Sequence, residues 1–170
     1  MPREPDIRTR QALPEDAAAI ARIYNEGIAD RIATFETEPR TTEQIAAWFR
    51  PGVLIVVGEA DGAGVVGFAA SFPYSVRPCY AGIGEYSVYA ARAFRGRGVG
   101  RAALAALIEA ARSAGLHKLT SRIFPENTAS RALMRRFGFS EIGIHKRHGQ
   151  LEGAWRDCVI VELLIEKNSR

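Results

Sequence analysis

The chain has 170 residues, 47% of them hydrophobic and 25% charged, and its 23 Lys and Arg outnumber 19 Asp and Glu for a formal net charge of +4. That length supports one sizeable core but not two ordinary domains, and the composition excludes fibrous, collagenous and disordered chains. No apolar run approaches the length of a bilayer span, and Met1-Pro2-Arg3-Glu4-Pro5-Asp6 has neither an apolar segment nor a cleavage pattern, so a cytoplasmic protein with no membrane partner is expected.

In chain order, a short strand is predicted at Ile7–Arg10. Pro14-Glu15-Asp16 then opens a helix, with acidic residues in its first turn, where the helix dipole favours them. Ala17, Ile20, Ile23 and Tyr24 share one face of it, and Gly27 is expected to end it. A loop with Thr34-Phe35-Glu36 leads to a short helix around Thr42–Phe49, with Thr42 as its cap. Two strands, Val53–Glu59 and Val65–Phe72, flank Asp61-Gly62, a hairpin turn signal. Glu85-Tyr86-Ser87-Val88-Tyr89 has the aromatic and β-branched character of a strand. Leu104, Leu107, Ile108 and Ala111 then recur at helical spacing until Gly115. A strand at Lys118–Ile123, a helix from about Thr128 to Phe137 stopped by Gly138, and strands near Glu141–Lys146 and Arg156–Leu164 complete the chain. This order predicts a single mixed α/β domain over residues 1–170, not a doubly wound repeat.

The most informative segment joins the Glu85 strand to the long helix: Arg95-Gly96-Arg97-Gly98-Val99-Gly100. Strand, glycine-rich turn and helix start present free backbone N–H groups to a phosphate, aided by the dipole and here by Arg95, Arg97 and Arg101. A dinucleotide fingerprint starting at Gly96 fails because its last position is Arg101. A Walker loop fails because no Lys-Ser or Lys-Thr pair occurs. A solvated basic turn is the bland alternative.

Other chemistry is sparse. Cys79 and Cys158 form no disulfide framework and lack metal-ligand spacing, and His145 and His148 flank Lys146-Arg147 without carboxylate or cysteine neighbours, so no metal is expected. The basic residues are mostly arginines, scattered except near the glycine turn and around Arg131, Arg135 and Arg136. That distribution suits an anionic small molecule, and no nucleic-acid partner is expected.

Arg-x-x-Gly-x-Gly, from Arg95 to Gly100, resembles the pyrophosphate signature of the GNAT superfamily of N-acetyltransferases, whose co-substrate is acetyl-CoA. Asn127-Thr128-Ala129-Ser130 followed by Leu133 and Phe137-Gly138-Phe139 resembles a second segment of the same superfamily. The alternative for that segment is a plain helix cap and glycine stop. A fuller resemblance, from about Ile7 to Leu164, is to the phosphinothricin and methionine sulfoximine N-acetyltransferases, especially the arsinothricin branch. It is carried by Tyr24-Asn25-Glu26-Gly27-Ile28, Ala33-Thr34-Phe35-Glu36-Thr37, Arg77-Pro78-Cys79-Tyr80, Glu85 through Tyr89 and Gly153-Ala154-Trp155-Arg156-Asp157.

The resemblance implies a mixed, mostly antiparallel sheet flanked by helices, with two parallel strands splayed apart to form a slot for acetyl-CoA. The implied cofactor residues are Val88, Tyr89 and Ala90, whose backbone groups also serve the oxyanion, then Arg95, Gly96, Arg97, Gly98, Val99 and Gly100, and finally Asn127 and Ser130. An ammonium has no lone pair with which to attack a thioester, so a base is needed, and Glu85 matches the family's catalytic glutamate. An exposed strand carboxylate is the alternative. Many relatives carry a Tyr general acid where this chain has Leu133-Met134, which leaves the acid open among Ser130, a water, or none.

For the acceptor, Arg77 suits a carboxylate or phosphinate, and Thr34, Phe35 and Glu36 would shape the pocket. A surface charge and ordinary packing are the respective alternatives. Trp155 and Asp157 fit a core and an anchoring role. The implied activity is acetylation of the α-amine of a phosphinothricin-, arsinothricin- or methionine sulfoximine-type amino acid, conferring resistance. Another amine acceptor (a polyamine, an aminoglycoside or a protein N-terminus) and a non-catalytic acyl-CoA-binding or nucleic-acid-binding module are the competing readings. The apolar run Val159-Ile160-Val161 with Leu163-Leu164 is read as a surface for a homodimer, or else as an internal strand.

Overall fold

Hydrophobic alternation along the strands decides the architecture, because each strand has an apolar side that must be covered. The computed structural model describes residues 6–168. Seven strands are present: β1 (Ile7–Gln11), β2 (Leu54–Ala60), β3 (Gly64–Pro73), β4 (Ile83–Ala90), β5 (Lys118–Ile123), β6 (Ser140–Leu151) and β7 (Ala154–Leu164). They join in one sheet of order β1-β2-β3-β4-β5-β7-β6. The helices are α1 (Ala17–Asp30), α2 (Thr42–Ala46), α3 (Val99–Ser113) and α4 (Thr128–Arg136). Among the described residues no helix is long and apolar enough to cross a membrane.

The two sides of the sheet bury different sets of side chains. Val57, Phe68 and Ala70 face Ile20 and Ile23 of α1 and Ile45 of α2. Val56, Ala69, Tyr86, Leu119 and Val161 pack with Leu104, Leu107 and Ile108 of α3 and Met134 of α4. Gly67 lets α3 approach closely: a Cβ there would lie 2.2 Å from Val99 Cγ1 and 3.1 Å from the Tyr89 carbonyl.

Three local expectations change. α1 does not stop at Gly27 but continues to Asp30 and ends on Arg31, at φ 58°. Gly27 is required by packing instead, since a Cβ would sit 2.7 Å from the Tyr89 ring. The cap of α2 is Thr41, not Thr42: its hydroxyl accepts from the Gln44 N–H while the Gln44 side chain accepts from the Thr41 N–H, a reciprocal capping box. The last two strands are longer than their apolar runs and meet at Glu152-Gly153, both at positive φ as a tight hairpin turn demands.

The apolar run in β7 is internal, paired to β5 on one side and β6 on the other, with Val159 and Val161 buried. It is therefore not the free surface that was one reading of the sequence. On β6 and β7 the large apolar side chains left exposed are Ile142, Ile144, Trp155 and Leu164.

The site is positioned by the one parallel pairing among the described residues. β4 and β5 are in register only at Ile83↔Lys118, Gly84↔Leu119 and Glu85↔Thr120. Beyond Glu85, β4 runs on beside β3 to Ala90 while β5 turns away, and the two strands splay. At the fork the Ser121 hydroxyl donates to the Tyr86 carbonyl at 2.8 Å, replacing the lost ladder bond.

Candidate active site

The splay opens a cleft of about 540 Å³. In the antiparallel β3–β4 ladder, alternate residues direct their backbone groups to opposite strands. The Ala91 N–H donates to the Val66 carbonyl, and the Tyr74 N–H to the Ile83 carbonyl, so odd-numbered β4 residues bond to β3. Even-numbered Val88 and Ala90 therefore turn their backbone groups toward the cleft, where an extended amide-containing chain can pair with them as an added strand.

The far end of the cleft is the start of α3. Gly96 (φ 74°) and Gly98 (φ 81°) take left-handed conformations that non-glycine residues adopt only with strain, and Gly98 caps the helix. The turn aims the unpaired first N–H groups of α3 into the cleft. Arg95, Arg101 and Arg136 line it as cations. Asp30 at the end of α1 holds Arg92 at 2.7 Å and Arg95 at 2.5 Å, and these contacts, the Arg92 hydrogen bond first, keep its carboxyl below the usual carboxylate range. A slot with strand-like donors at one end and a cationic helix N-terminus at the other fits a pantetheine arm followed by a pyrophosphate.

Of the residues inferred for the cofactor, Val88, Tyr89, Ala90, Arg95, Gly96, Gly98, Val99, Gly100, Asn127 and Ser130 all line the cleft. Arg97 lies outside that lining, with its guanidinium over the Phe94 ring at 5.5 Å. Asn127 also caps α4, accepting from the Ser130 N–H at 3.2 Å.

Glu85 lies on the other side of the sheet from α3. It lines a second cavity of about 350 Å³ with Tyr74, Tyr80, Lys118, Thr120, Arg122 and His145 among its walls. The two cavities share Ser121 and Arg122, so they meet at the fork of β4 and β5. The Glu85 carboxylate accepts from Arg122 Nη2, and Arg122 Nη1 lies 3.3 Å from His148 Nε2. Lys118 is paired with Glu162 at 2.9 Å.

The remaining acceptor candidates sit apart. Arg77 is exposed, lies outside the lining of both cavities and stacks at 5.4 Å over Tyr80, which does line the second. Thr34, Phe35 and Glu36 line neither cavity. Phe35 packs edge-on against Phe124 at 4.9 Å and closely over Gly149, Glu36 pairs with Arg40 at 2.8 Å, and the Thr34 hydroxyl accepts from the Glu36 N–H. Their neighbours Ile32 and Ala33 reach the first cleft instead. Trp155 is 58% exposed rather than core, whereas Asp157 anchors not a loop but the irregular stretch of β6 by accepting from the Arg147 N–H and Lys146.

Sequence reasoning missed Arg122, Ser121 and Tyr86. The alternation Lys118-Leu119-Thr120 and on to Arg122 and Ile123 carried a signal, because it places polar side chains on one side of β5. Only the strand order reveals that this side faces Glu85. Tyr86 projects the other way, and its hydroxyl donates to Met134 Sδ at 2.6 Å. A hydroxyl thus reaches the Met134 position from β4 rather than from α4, and burial pushes its pKa up, keeping it protonated.

The profile of the acetyltransferase (GNAT) family matches residues 20–139. The chain belongs to this family. As a GNAT enzyme it is an acyltransferase. It is 32% identical over 168 residues to phosphinothricin N-acetyltransferase of Streptomyces coelicolor, covering 95% of this chain and 98% of that protein. It is 34% identical over 161 residues to the L-methionine sulfoximine/L-methionine sulfone acetyltransferase of Pseudomonas aeruginosa, covering 92% and 94%. The crystal structure of a phosphinothricin acetyltransferase from Sinorhizobium meliloti in complex with AcCoA superposes with a TM-score of 0.86 at 28% identity, covering 93% of this chain and 88% of that one.

Proposed function

We propose that this GNAT enzyme transfers the acetyl group of acetyl-CoA to the α-amine of a small amino acid of the phosphinothricin, arsinothricin or methionine sulfoximine type, and so confers resistance to such compounds. The observation that carries this reading is the junction of the two cavities at the β4–β5 fork, with Glu85 on the acceptor side. Acetyl-CoA lies in the cleft along Val88 and Ala90, its pyrophosphate on the N–H groups of Gly98 to Gly100 with Arg95 and Arg101, while Asn127 and Ser130 meet its arm. Glu85 takes the proton from the acceptor ammonium, directly or through a water, and the neutral amine attacks the thioester carbonyl. Backbone N–H groups at the end of β4 stabilise the oxyanion. Collapse forms the amide and breaks the C–S bond; the attacking nitrogen sheds its extra proton, which balances the one the leaving thiolate takes up. Arg77, beside Tyr80 at the cavity edge, meets the anionic far end of the acceptor.

The enzyme works in the cytoplasm as a symmetric homodimer with the acceptor cavity close to the contact. Ile142, which lines that cavity, and Leu164, opposite cavity-lining Lys118, are each more than half exposed and supply apolar surface on that side of the sheet for the pairing. Light scattering at micromolar concentration tests it: a fully active species of monomer mass refutes it. The substrate reading is tested by assaying phosphinothricin, arsinothricin, methionine sulfoximine and glutamate with acetyl-CoA and detecting free thiol. Preference for the three analogues over glutamate supports it, and no turnover with any of them removes it.

A further inference from the structure

We infer that Arg122 anchors the α-carboxylate of the acceptor, so that the Glu85–Arg122 pair recognises an amino-acid zwitterion as its charge complement. The inference rests on the reading above, that the acceptor is an α-amino acid. Glu85 and Arg122 come from neighbouring strands on the same side of the sheet. Glu85 is opposite Thr120 in the last register pair, and Arg122 is one alternation further along β5. Their side chains touch, and both line the second cavity. An α-amino acid carries an ammonium and a carboxylate one carbon apart. With the ammonium on Glu85, the carboxylate is delivered to the adjacent guanidinium.

Three observations favour this role over a purely structural ion pair. The Glu85 and Arg122 side chains are 35% and 46% exposed, and a solvent-accessible pair contributes little on its own, so its partners exchange for those of a substrate at small cost. The other strand cation of the cavity, Lys118, is held by Glu162. Arg122 also belongs to the lining of the cofactor cleft, which places the anchored carboxylate, and with it the amine, at the passage where the acetyl group must arrive. A guanidinium fork suits a carboxylate in a way that an ammonium does not. Arg77 stands outside this cavity lining and is left for the distal group of the acceptor.

The test compares L-methionine sulfoximine with its α-carboxamide, which lacks the α-carboxylate and has a less basic amine, a difference that is the same for every protein assayed. Acetylation is followed by kcat/KM for the wild type, Arg122→Met and Arg122→Lys. The contact should raise the acid-to-amide ratio of the wild type by about 10- to 150-fold, the range of a charge-assisted contact. In Arg122→Met that ratio should fall by the same factor relative to the wild type, mainly through KM for the acid, and Arg122→Lys should keep part of it. Because each ratio is taken within one protein, a general loss of activity cancels. Should Arg122→Met prove unfolded by its thermal transition, Arg122→Lys carries the test, and an unchanged ratio in it overturns the inference. An unchanged ratio in a folded Arg122→Met, even with kcat lowered for both acceptors, likewise overturns it. A wild type that acetylates neither compound removes the amino-acid reading and the anchor with it.

Discussion

Gly100 separates what a glycine does for the fold from what it does for the cofactor. It lines the cleft in the first turn of α3, yet it has no positive φ. A Cβ built there meets Leu133 Cδ2 at 3.5 Å and Val88 Cγ1 at 3.9 Å, both ordinary contacts. Gly100→Ala should therefore leave the fold intact and can stabilise it, since alanine is better than glycine in a helix by up to about 1 kcal/mol. For a chain of this size that is an upward shift of roughly 2–4 °C in Tm. The same methyl group stands beside the N–H that should meet the pyrophosphate. Losing one charge-assisted hydrogen bond costs about 1.5–3 kcal/mol, or roughly a 10- to 150-fold weaker Kd for acetyl-CoA. Gly98→Ala is the contrast. Its φ of 81° imposes strain of about 1–2 kcal/mol, so stability and binding should fall together. Calorimetric titration with acetyl-CoA, beside thermal unfolding of the free proteins, reads both quantities. A folded Gly100→Ala protein that binds acetyl-CoA within threefold of the wild type would refute the assignment of the α3 N-terminus as the phosphate site.

Glu85→Gln should keep its acetyl-CoA affinity but lose about 10²–10⁴-fold in kcat, and unchanged turnover near neutral pH would remove Glu85 as the base. Gly67→Ala drives a Cβ into Val99 Cγ1 and should lower stability by about 1–3 kcal/mol or more, with Val99→Ala in the same chain recovering part of the loss. Simple additivity in that double-mutant cycle would show that the clash does not govern the effect. Asp16 accepts from Arg10 at 2.7 and 2.9 Å and from the Leu13 N–H at 2.8 Å, and these contacts, the Arg10 hydrogen bonds first, hold its carboxyl below its ordinary value. Its contribution to stability is thus complete above the unfolded carboxylate range near pH 4 and fades as pH falls through the lower folded pKa. Asp16→Ala should cost about 1–3 kcal/mol at pH 7 in urea unfolding, and the gap to wild type should narrow in acid. A gap independent of pH would contradict the ion pair.

Local chemistry was largely legible in the sequence where it depends on neighbours along the chain, although the cap of α2 fell one residue earlier, at Thr41. β5 begins and ends at the residues its alternation predicts, and the glycine turn before α3 is set by Gly96 and Gly98, whose conformations need no distant contact. Much of the cleft lining was readable for the same reason, since it falls in two contiguous stretches, one ending β4 and starting α3, the other starting α4, whereas Gly27, Ile32, Ala33, Ser121 and Arg122 reach the cleft from elsewhere. Arg97 shows the limit, since within such a stretch only the fold decides which side chains face inward. Gly27 shows another, because its role depends on Tyr89, which lies far along the chain.

What the tertiary structure alone decided is the acceptor side. The strand order sets β5 beside β4 and β7 beside β5, and so brings Glu85, Arg122, Lys118 and Glu162 around one cavity from three separate segments. A sequence states which strand faces are polar, but not which strands are neighbours or where a parallel pair stops pairing. Here that pairing ends after Glu85↔Thr120, and the end point opens the cleft and joins it to the cavity that holds Glu85.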